Sequence, residues 1–217
     1  MSDKAVAVIQ SIPYLIQGVK ITLSITALAL GLGAVIGLAL ALSRVYGGGF
    51  LRRLSIVYGR IMRSLPLLVI LFMLFYLGSE VVDITEYTAV VLALALHSAA
   101  YQSEIFRGAL QSVKPGQMEA AVALGMSRVQ GVLWVVMPQA MRRALPYWAN
   151  EGSIVLKDSS LAYILGIVEL MRRGEYISAR TSEPLLTYII VGIIYFIMTF
   201  IFSKVMARAE KRYKVLD

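Results

Sequence analysis

Residues Ile21–Ser43 read ITLSITALALGLGAVIGLALALS, 23 positions without one charged side chain. A helix that crosses the hydrocarbon core of a bilayer needs about 20 mostly apolar residues, so this stretch reads as a membrane span. Three further charge-free runs follow it: Ser64–Ser79, Tyr87–Ser103 and Pro184–Ser203, with 16, 17 and 20 residues. The two middle runs are short, and the flanking Ile56, Val57, Ile61, Met62, Ile105 and Phe106 can lengthen them. A fifth region, Ala144–Val168, is apolar overall but interrupted by Glu151, Lys157 and Asp158. The expected fold class is all-α: a polytopic membrane protein with five transmembrane helices, forming one transmembrane domain over residues 1–217. The composition agrees, because 59% of the residues are hydrophobic and only 16% charged, whereas soluble domains carry about a quarter of their residues as charges.

The formal net charge of +8 could mark a nucleic-acid binder, but such proteins carry their charge on a polar surface. Here the charges lie between the spans, where they can be used to orient the chain. Arg44, Arg52, Arg53, Arg60 and Arg63 separate spans one and two with no acid among them; Glu80, Asp83 and Glu86 separate spans two and three with no base. The segment after span three and the C-terminal tail are basic as well. With these segments inside, 15 basic side chains face 4 acidic ones for +11; outside, 5 face 7 for −2; and span four holds 1 and 2 for −1, which recovers +8. The expected topology puts the N-terminus outside and the C-terminus in the cytoplasm. There is no cysteine, which excludes disulfides, thiolate metal sites and cysteine nucleophiles. The first 20 residues lack a charged region followed by a small-residue cleavage site, so no removed signal peptide is expected.

Within span one, Ala29, Gly33, Gly37 and Ala41 recur at every fourth position. Such a ridge lets another helix approach closely, either inside the subunit, the favoured reading, or between two subunits. The stretch Gly31-Leu-Gly33-Ala-Val-Ile-Gly37 has the wrong last spacing for a dinucleotide fingerprint, and no GxxxxGK[ST] occurs in the chain. Any ATP use must therefore come from a partner.

The cytoplasmic segment of about 114–146 holds Glu119-Ala-Ala-Val-Ala-Leu-Gly125, the pattern of a short helix outside the membrane closed by a left-handed glycine. Glu119-Ala120-Ala121, then Gly125, Val135 and Met137-Pro138 closely resemble the EAA loop of ABC importer permeases, with Val and Met where that pattern usually has Ile and Leu. The resemblance extends through Arg63-Ser-Leu-Pro66-Leu-Leu, Ala100-Tyr101-Gln-Ser-Glu104-Ile-Phe-Arg107-Gly108-Ala, Gly116-Gln117-Met-Glu119 and Leu156-Lys157-Asp158-Ser-Ser160-Leu161, all similar to the polar amino acid uptake family. That resemblance implies an importer of the prokaryotic inner membrane. Its parts would be two permease subunits, two cytoplasmic ABC ATPases and an extracytoplasmic substrate-binding protein, with the permease pairing with itself or with a close homologue. ATP and Mg would be held by the ATPases, and no cofactor by this chain. Glu119, Ala120, Ala121, Leu124 and Gly125 would form the coupling helix that docks on the ATPase and passes its movement to the spans. Members resembling histidine, arginine and lysine importers tend to show Gly-Thr-Pro-Leu and a Gln a few residues on. Here Ser64-Leu65-Pro66-Leu67 and Ile70 stand instead, closer to the glutamate and aspartate branch, so an acidic or other polar amino acid is favoured over a basic one.

Ionisable groups at bilayer depth cost about 2.5–3.5 kcal/mol each on insertion scales and usually face a bundle interior or a watery cavity. Measured from Arg143 along a continuous helix, Glu151 stands ~12 Å and Asp158 ~22 Å along the axis. Their spacing of seven puts both carboxylates on nearly one helix face, with Asn150 and Lys157 beside them. An amino acid needs an acceptor for its ammonium and a donor for its carboxylate, and this stripe offers both; an internal ion pair around Lys157 is the structural alternative. His97, Tyr101 and Glu104, at spacings of four and three, form a second stripe in span three. With one histidine and no cysteine, neither a metal site nor a hydrolytic triad is expected, and the chain reads as no enzyme. The competing function is an ion-coupled secondary carrier or channel using the polar residues of spans three and four. Such carriers usually show inverted repeats, which five spans cannot divide into evenly.

Overall fold

The computed structural model describes residues 3–213, apart from the side chains of Ser79, Val81, Val82 and Tyr213; Lys214 and Asp217, two of the charges counted in the tail, lie outside the described residues. The elements are all helical: α1 (Asp3–Gln10), α2 (Ile12–Tyr46), α3 (Gly49–Ser64), α4 (Leu67–Val82), α5 (Glu86–Ser112), α6 (Pro115–Ala123) and α7 (Arg128–Gln130). A π-helical stretch, Gly131–Val136, leads into α8 (Met137–Asp158). A 3₁₀ segment, Ser159–Leu165, then precedes α9 (Leu170–Thr181) and α10 (Pro184–Tyr213).

The helix boundaries follow from local chemistry. Gly47 and Gly48 separate α2 from α3, which begins at a third glycine, Gly49, and Gly48 is extended (φ −66°, ψ 169°). Pro66 crowds the residue before it out of the helical region, and Leu65 accordingly ends α3 at φ −95°, ψ 137°. At α6, Pro115 supplies a first-turn position whose missing N–H has no intrahelical partner to lose. Ser127 and Gln130 cap α7 reciprocally, each side chain accepting from the other's backbone N–H, at 3.3 and 2.8 Å.

Among the described residues, three helical stretches are long and apolar enough to cross a membrane: Asp3–Tyr46, Glu86–Ser112 and Pro184–Arg212. The α3–α4 pair adds a fourth if it counts as one broken span. Helix α8, expected to be span four, is not in that set because Arg142, Arg143, Glu151, Lys157 and Asp158 fall within it. Helix length and hydropathy thus support three or four crossings among the described residues rather than the expected five.

The chain divides into two compact units, Met1–Gly31 with Pro66–Ala95 and Gly152–Phe202, and Leu32–Leu65 with Leu96–Glu151 and Ser203–Asp217. In the first unit Val8, Leu15, Leu156, Leu170, Ile177, Val191 and Met198 form the core. In the second unit Ala41, Phe106, Ala109, Leu110, Val113, Val136, Ala140 and Ala144 do so. Four of these eight are alanines, as expected where close approach of helices, rather than exclusion of water, supplies the contact energy. The small-residue ridge of α2 belongs to this internal packing, since Ala29, Gly33, Gly37 and Ala41 are all buried within the chain. At Gly37 a Cβ would come within 2.9 Å of the Gln102 Cβ and 3.0 Å of the Ala99 carbonyl, so only glycine permits this approach of α2 to α5. The ridge is filled by the chain's own helices and is not left for a second subunit.

Candidate functional site

The segment expected to couple to an ATPase is built as a helix, a turn and a second helix, all in the second unit. Helix α6 begins at Pro115, four residues before Glu119. It closes in a Schellman turn: the Met126 N–H donates to the Ala121 carbonyl (3.1 Å) and the Gly125 N–H to that of Val122 (2.9 Å). Gly125 sits at φ +86°, the left-handed conformation expected from the sequence. Ala121 is buried, and a Cβ at Gly131 would stand 2.7 Å from the Met118 sulfur, so α6 lies tightly against the π-helical stretch. Glu119, Ala120, Leu124 and Gly125 face outward. Leu124 is 82% exposed, Trp134 74% and Val129 67%, an apolar surface with Glu119 on the same helix. Val129 and Trp134 escaped the sequence reading, which followed only the EAA pattern. The available signal was a Val between Arg128 and Gln130 and a Trp in the apolar run Val132–Val136 that follows.

Glu104 was placed by spacing on a polar stripe with His97 and Tyr101. The structure surrounds it with three guanidiniums. Arg44 donates to one carboxylate oxygen at 2.5 Å and Arg63 forms an ion pair with the same oxygen at 3.2 Å, while Arg107 donates to the other at 2.8 Å. Arg63 also donates to the Ala100 carbonyl at 3.0 Å, and Arg107 to Gln111 at 2.6 Å. One carboxylate thus ties together the end of α2, the end of α3 and the middle of α5 through charge-assisted bonds. Glu104 also lines a cavity of about 760 Å³ with Ile105, Ala109, Arg143, Tyr147 and Glu210, a mixed-charge recess with an apolar wall. The rings of His97 and Tyr101 meet at a tilt of 59° with centroids 5.2 Å apart, and Tyr101 is exposed.

Glu151 is almost fully buried in the second unit, where Ser98 donates to it at 2.7 Å. The chain of polar contacts continues outward: Gln102 donates to the Ser98 hydroxyl at 3.0 Å, and the Trp148 indole N–H to the Gln102 carbonyl oxygen at 2.7 Å. Ser98, Gln102 and Trp148 were not singled out from sequence, yet Ser98 and Gln102 stand four apart on α5 and Trp148 precedes Glu151 by three on α8. Asn150, next to Glu151, is exposed. In the first unit Asp158 ends α8 half-buried beside the exposed Lys157.

The first unit holds a second buried carboxylate that charge counting treated as an ordinary loop residue. Glu169 has no exposed surface; it caps α9 by accepting from the backbone N–H groups of Met171 and Arg172, both at 2.8 Å. The Tyr195 and Thr22 hydroxyls donate to it at 3.0 and 3.3 Å. Burial pushes this loop carboxyl above the usual carboxylate range, against the pull of those four donors. Thr22 in turn accepts from the Leu170 N–H at 3.3 Å, so Glu169 joins α2, α9 and α10 within this unit.

Comparison with known proteins places these features in a family. Residues 29–215 match the family of binding-protein-dependent transport system inner membrane components. The chain is 38% identical over 213 residues to the glutamine transport system permease protein of Escherichia coli, covering 97% of each. It is 36% identical to the nopaline transport system permease protein of Agrobacterium fabrum, over 94% of this chain and 89% of that one. With the histidine/lysine/arginine/ornithine transport system permease protein of Escherichia coli it shares 34% identity, over 92% and 89%. Among solved structures, a crystal structure of an amino acid ABC transporter with histidines superposes with a TM-score of 0.85 at 35% identity, covering 98% of this chain and all of that one. An inward-facing methionine ABC transporter matches in fold, with a TM-score of 0.82 at 20% identity over 99% and 100%. The protein therefore belongs to the family of binding-protein-dependent transport system inner membrane components: it is a multi-pass inner-membrane permease of an amino acid ABC importer, and not itself an enzyme.

Proposed function

We propose that this permease carries a polar amino acid, acidic or neutral rather than basic, by alternating access, with its α6–α7 surface docked on a cytoplasmic ABC ATPase. The observation that carries the proposal is the closed α6 turn at Gly125 beside the exposed Leu124, Val129 and Trp134, a rigid apolar knob suited to a groove on a partner. The assembly contains two permease subunits, identical or closely homologous, two ATPases holding ATP and Mg, and an extracytoplasmic binding protein; the permease itself holds no cofactor. The chain forms one transmembrane domain. It crosses five times with its N-terminus outside, α8 crossing in spite of its charges, of which Glu151 is buried and accepts from Ser98. Arg63-Ser-Leu-Pro and Lys157-Asp158-Ser-Ser-Leu, together with the likeness to a glutamine permease, favour a polar side chain on the substrate.

Asp158 is proposed to accept the substrate ammonium and Lys157 to meet its carboxylate. Asn150 and Glu151 extend the pathway along α8, and His97, Tyr101 and Glu104 extend it along α5. Asp158→Asn removes the charged partner of a hydrogen bond worth about 1.5–3 kcal/mol, so the apparent KM for uptake rises about 10–100-fold while the complex still assembles. Unchanged uptake kinetics would remove Asp158 from the pathway. The transport reading itself is tested in liposomes holding the permease with its ATPase and binding protein. Uptake should require ATP; uptake driven by an ion gradient with no ATPase present would establish the secondary carrier instead.

A further inference from the structure

Helix α3 carries two surfaces that neither the fold nor the transport reading uses. Along one face run Phe50, Leu54, Val57 and Ile61, at spacings of four, three and four; all four are at least half exposed, and Phe50 reaches 79%. Arg53 and Arg60 adjoin this stripe, while Arg52 lies across the helix from it; all three are exposed, and no acid occurs anywhere in Gly49–Ser64. The helix is fixed by its third side: Ser55 and Gly59 are buried, the Tyr58 hydroxyl donates to the Leu96 carbonyl at 2.7 Å, and Arg63 is held by Ala100 and Glu104.

An α3 sunk in hydrocarbon would strand its arginines, and an α3 in water would leave the four apolar side chains wet. A helix in the plane of the membrane interface satisfies both faces, with the apolar stripe in the upper acyl region and the guanidiniums among headgroup phosphates. We infer that α3 is an interfacial helix whose arginines bind the anionic lipid headgroups of the cytoplasmic leaflet. The occupant is chosen by charge: three exposed arginines and no acid in 16 residues complement a leaflet whose surface is negative. Assignment to that leaflet, and to no other part of the inference, rests on the orientation proposed above.

The chain has no cysteine, so single cysteines can be placed on the full-length protein and spin-labelled after reconstitution into phosphatidylcholine vesicles with or without phosphatidylglycerol. In vesicles containing phosphatidylglycerol, labels at Phe50→Cys, Leu54→Cys, Val57→Cys and Ile61→Cys should be accessible to oxygen and shielded from a water-soluble nickel chelate, at about 5–10 Å below the phosphates. Labels at Arg53→Cys and Arg60→Cys should meet the nickel reagent. In phosphatidylcholine alone the apolar positions should sit shallower, and combining Arg52→Gln, Arg53→Gln and Arg60→Gln should erase the difference between the two lipids. The inference is overturned if the apolar positions are shielded from both reagents, which means a second copy or another protein covers them. It is overturned equally if they meet nickel as freely as the arginine positions, or if their depth ignores phosphatidylglycerol. In cells, an impermeant thiol reagent should reach Arg53→Cys only after permeabilisation. Labelling from outside would overturn the orientation and the choice of leaflet, whereas the depth pattern alone decides the lipid contact, so the two failures are told apart.

Discussion

Gly125→Val is expected to reduce ATP-driven uptake about tenfold or more while the permease still inserts and folds. Gly125 holds φ +86°, a conformation that costs a side-chain-bearing residue about 1–2 kcal/mol and a β-branched one more. About 1.4 kcal/mol lowers the population of the closed turn tenfold relative to open ones. What is lost with the turn is specific: the hydrogen bonds from Gly125 and Met126 back to Val122 and Ala121, and with them the fixed direction of Leu124. The contact of Met118 and Ala121 with Gly131 lies on the other side of α6 and remains. Gly125→Asn is the control, because asparagine enters the left-handed region more readily, and it should keep most of the uptake. Glu119→Ala acts differently, on an exposed side chain, and should leave the fold intact while uncoupling hydrolysis from uptake. Both quantities are read in proteoliposomes. Parental uptake by Gly125→Val would remove α6 from the coupling role.

Glu104→Leu should cost the folded permease about 2–4 kcal/mol, somewhat less than the loss of one partner from a fully buried ion pair, because the cluster is about one quarter exposed. For a chain of this size that corresponds to a fall in Tm of about 5–15 °C in detergent. The cost arises less from the attraction removed than from what is left behind, three guanidiniums of like charge gathered around an aliphatic side chain. Arg107→Gln should cost far less, since Arg44 and Arg63 still neutralise Glu104. A melting temperature for Glu104→Leu matching that of Arg107→Gln would show that the cluster does not hold α2, α3 and α5 together. Glu104→Leu is read in stability, whereas Asp158→Asn is read in transport.

Most of the helices were legible because membrane insertion imposes a coarse rule, a long apolar run for each crossing, that composition satisfies visibly. Ile21–Ser43, Tyr87–Ser103 and Pro184–Ser203 fall inside α2, α5 and α10, and Gly125 closes α6 as its sequence position suggested. Legibility failed where polar groups inside the protein are satisfied by residues far away in the chain. The periodicity of α5 put Glu104 with His97 and Tyr101, but it could not show that Arg44, 60 residues earlier, donates to that carboxylate. Glu169 and Thr22, 147 residues apart, are a second such pair.

By itself the sequence determined an all-helical membrane permease with a helix closed at Gly125, because insertion and capping are local energetics read from neighbouring residues. The tertiary structure decided that the Gly37 ridge is filled from within the chain, that Glu104 and Glu169 are knots between helices, and that α3 leaves one apolar and one basic face uncovered. Those outcomes depend on which helices pack together, and a buried carboxylate is satisfied by whichever donors that packing brings within 3 Å, information that no local pattern along the chain contains.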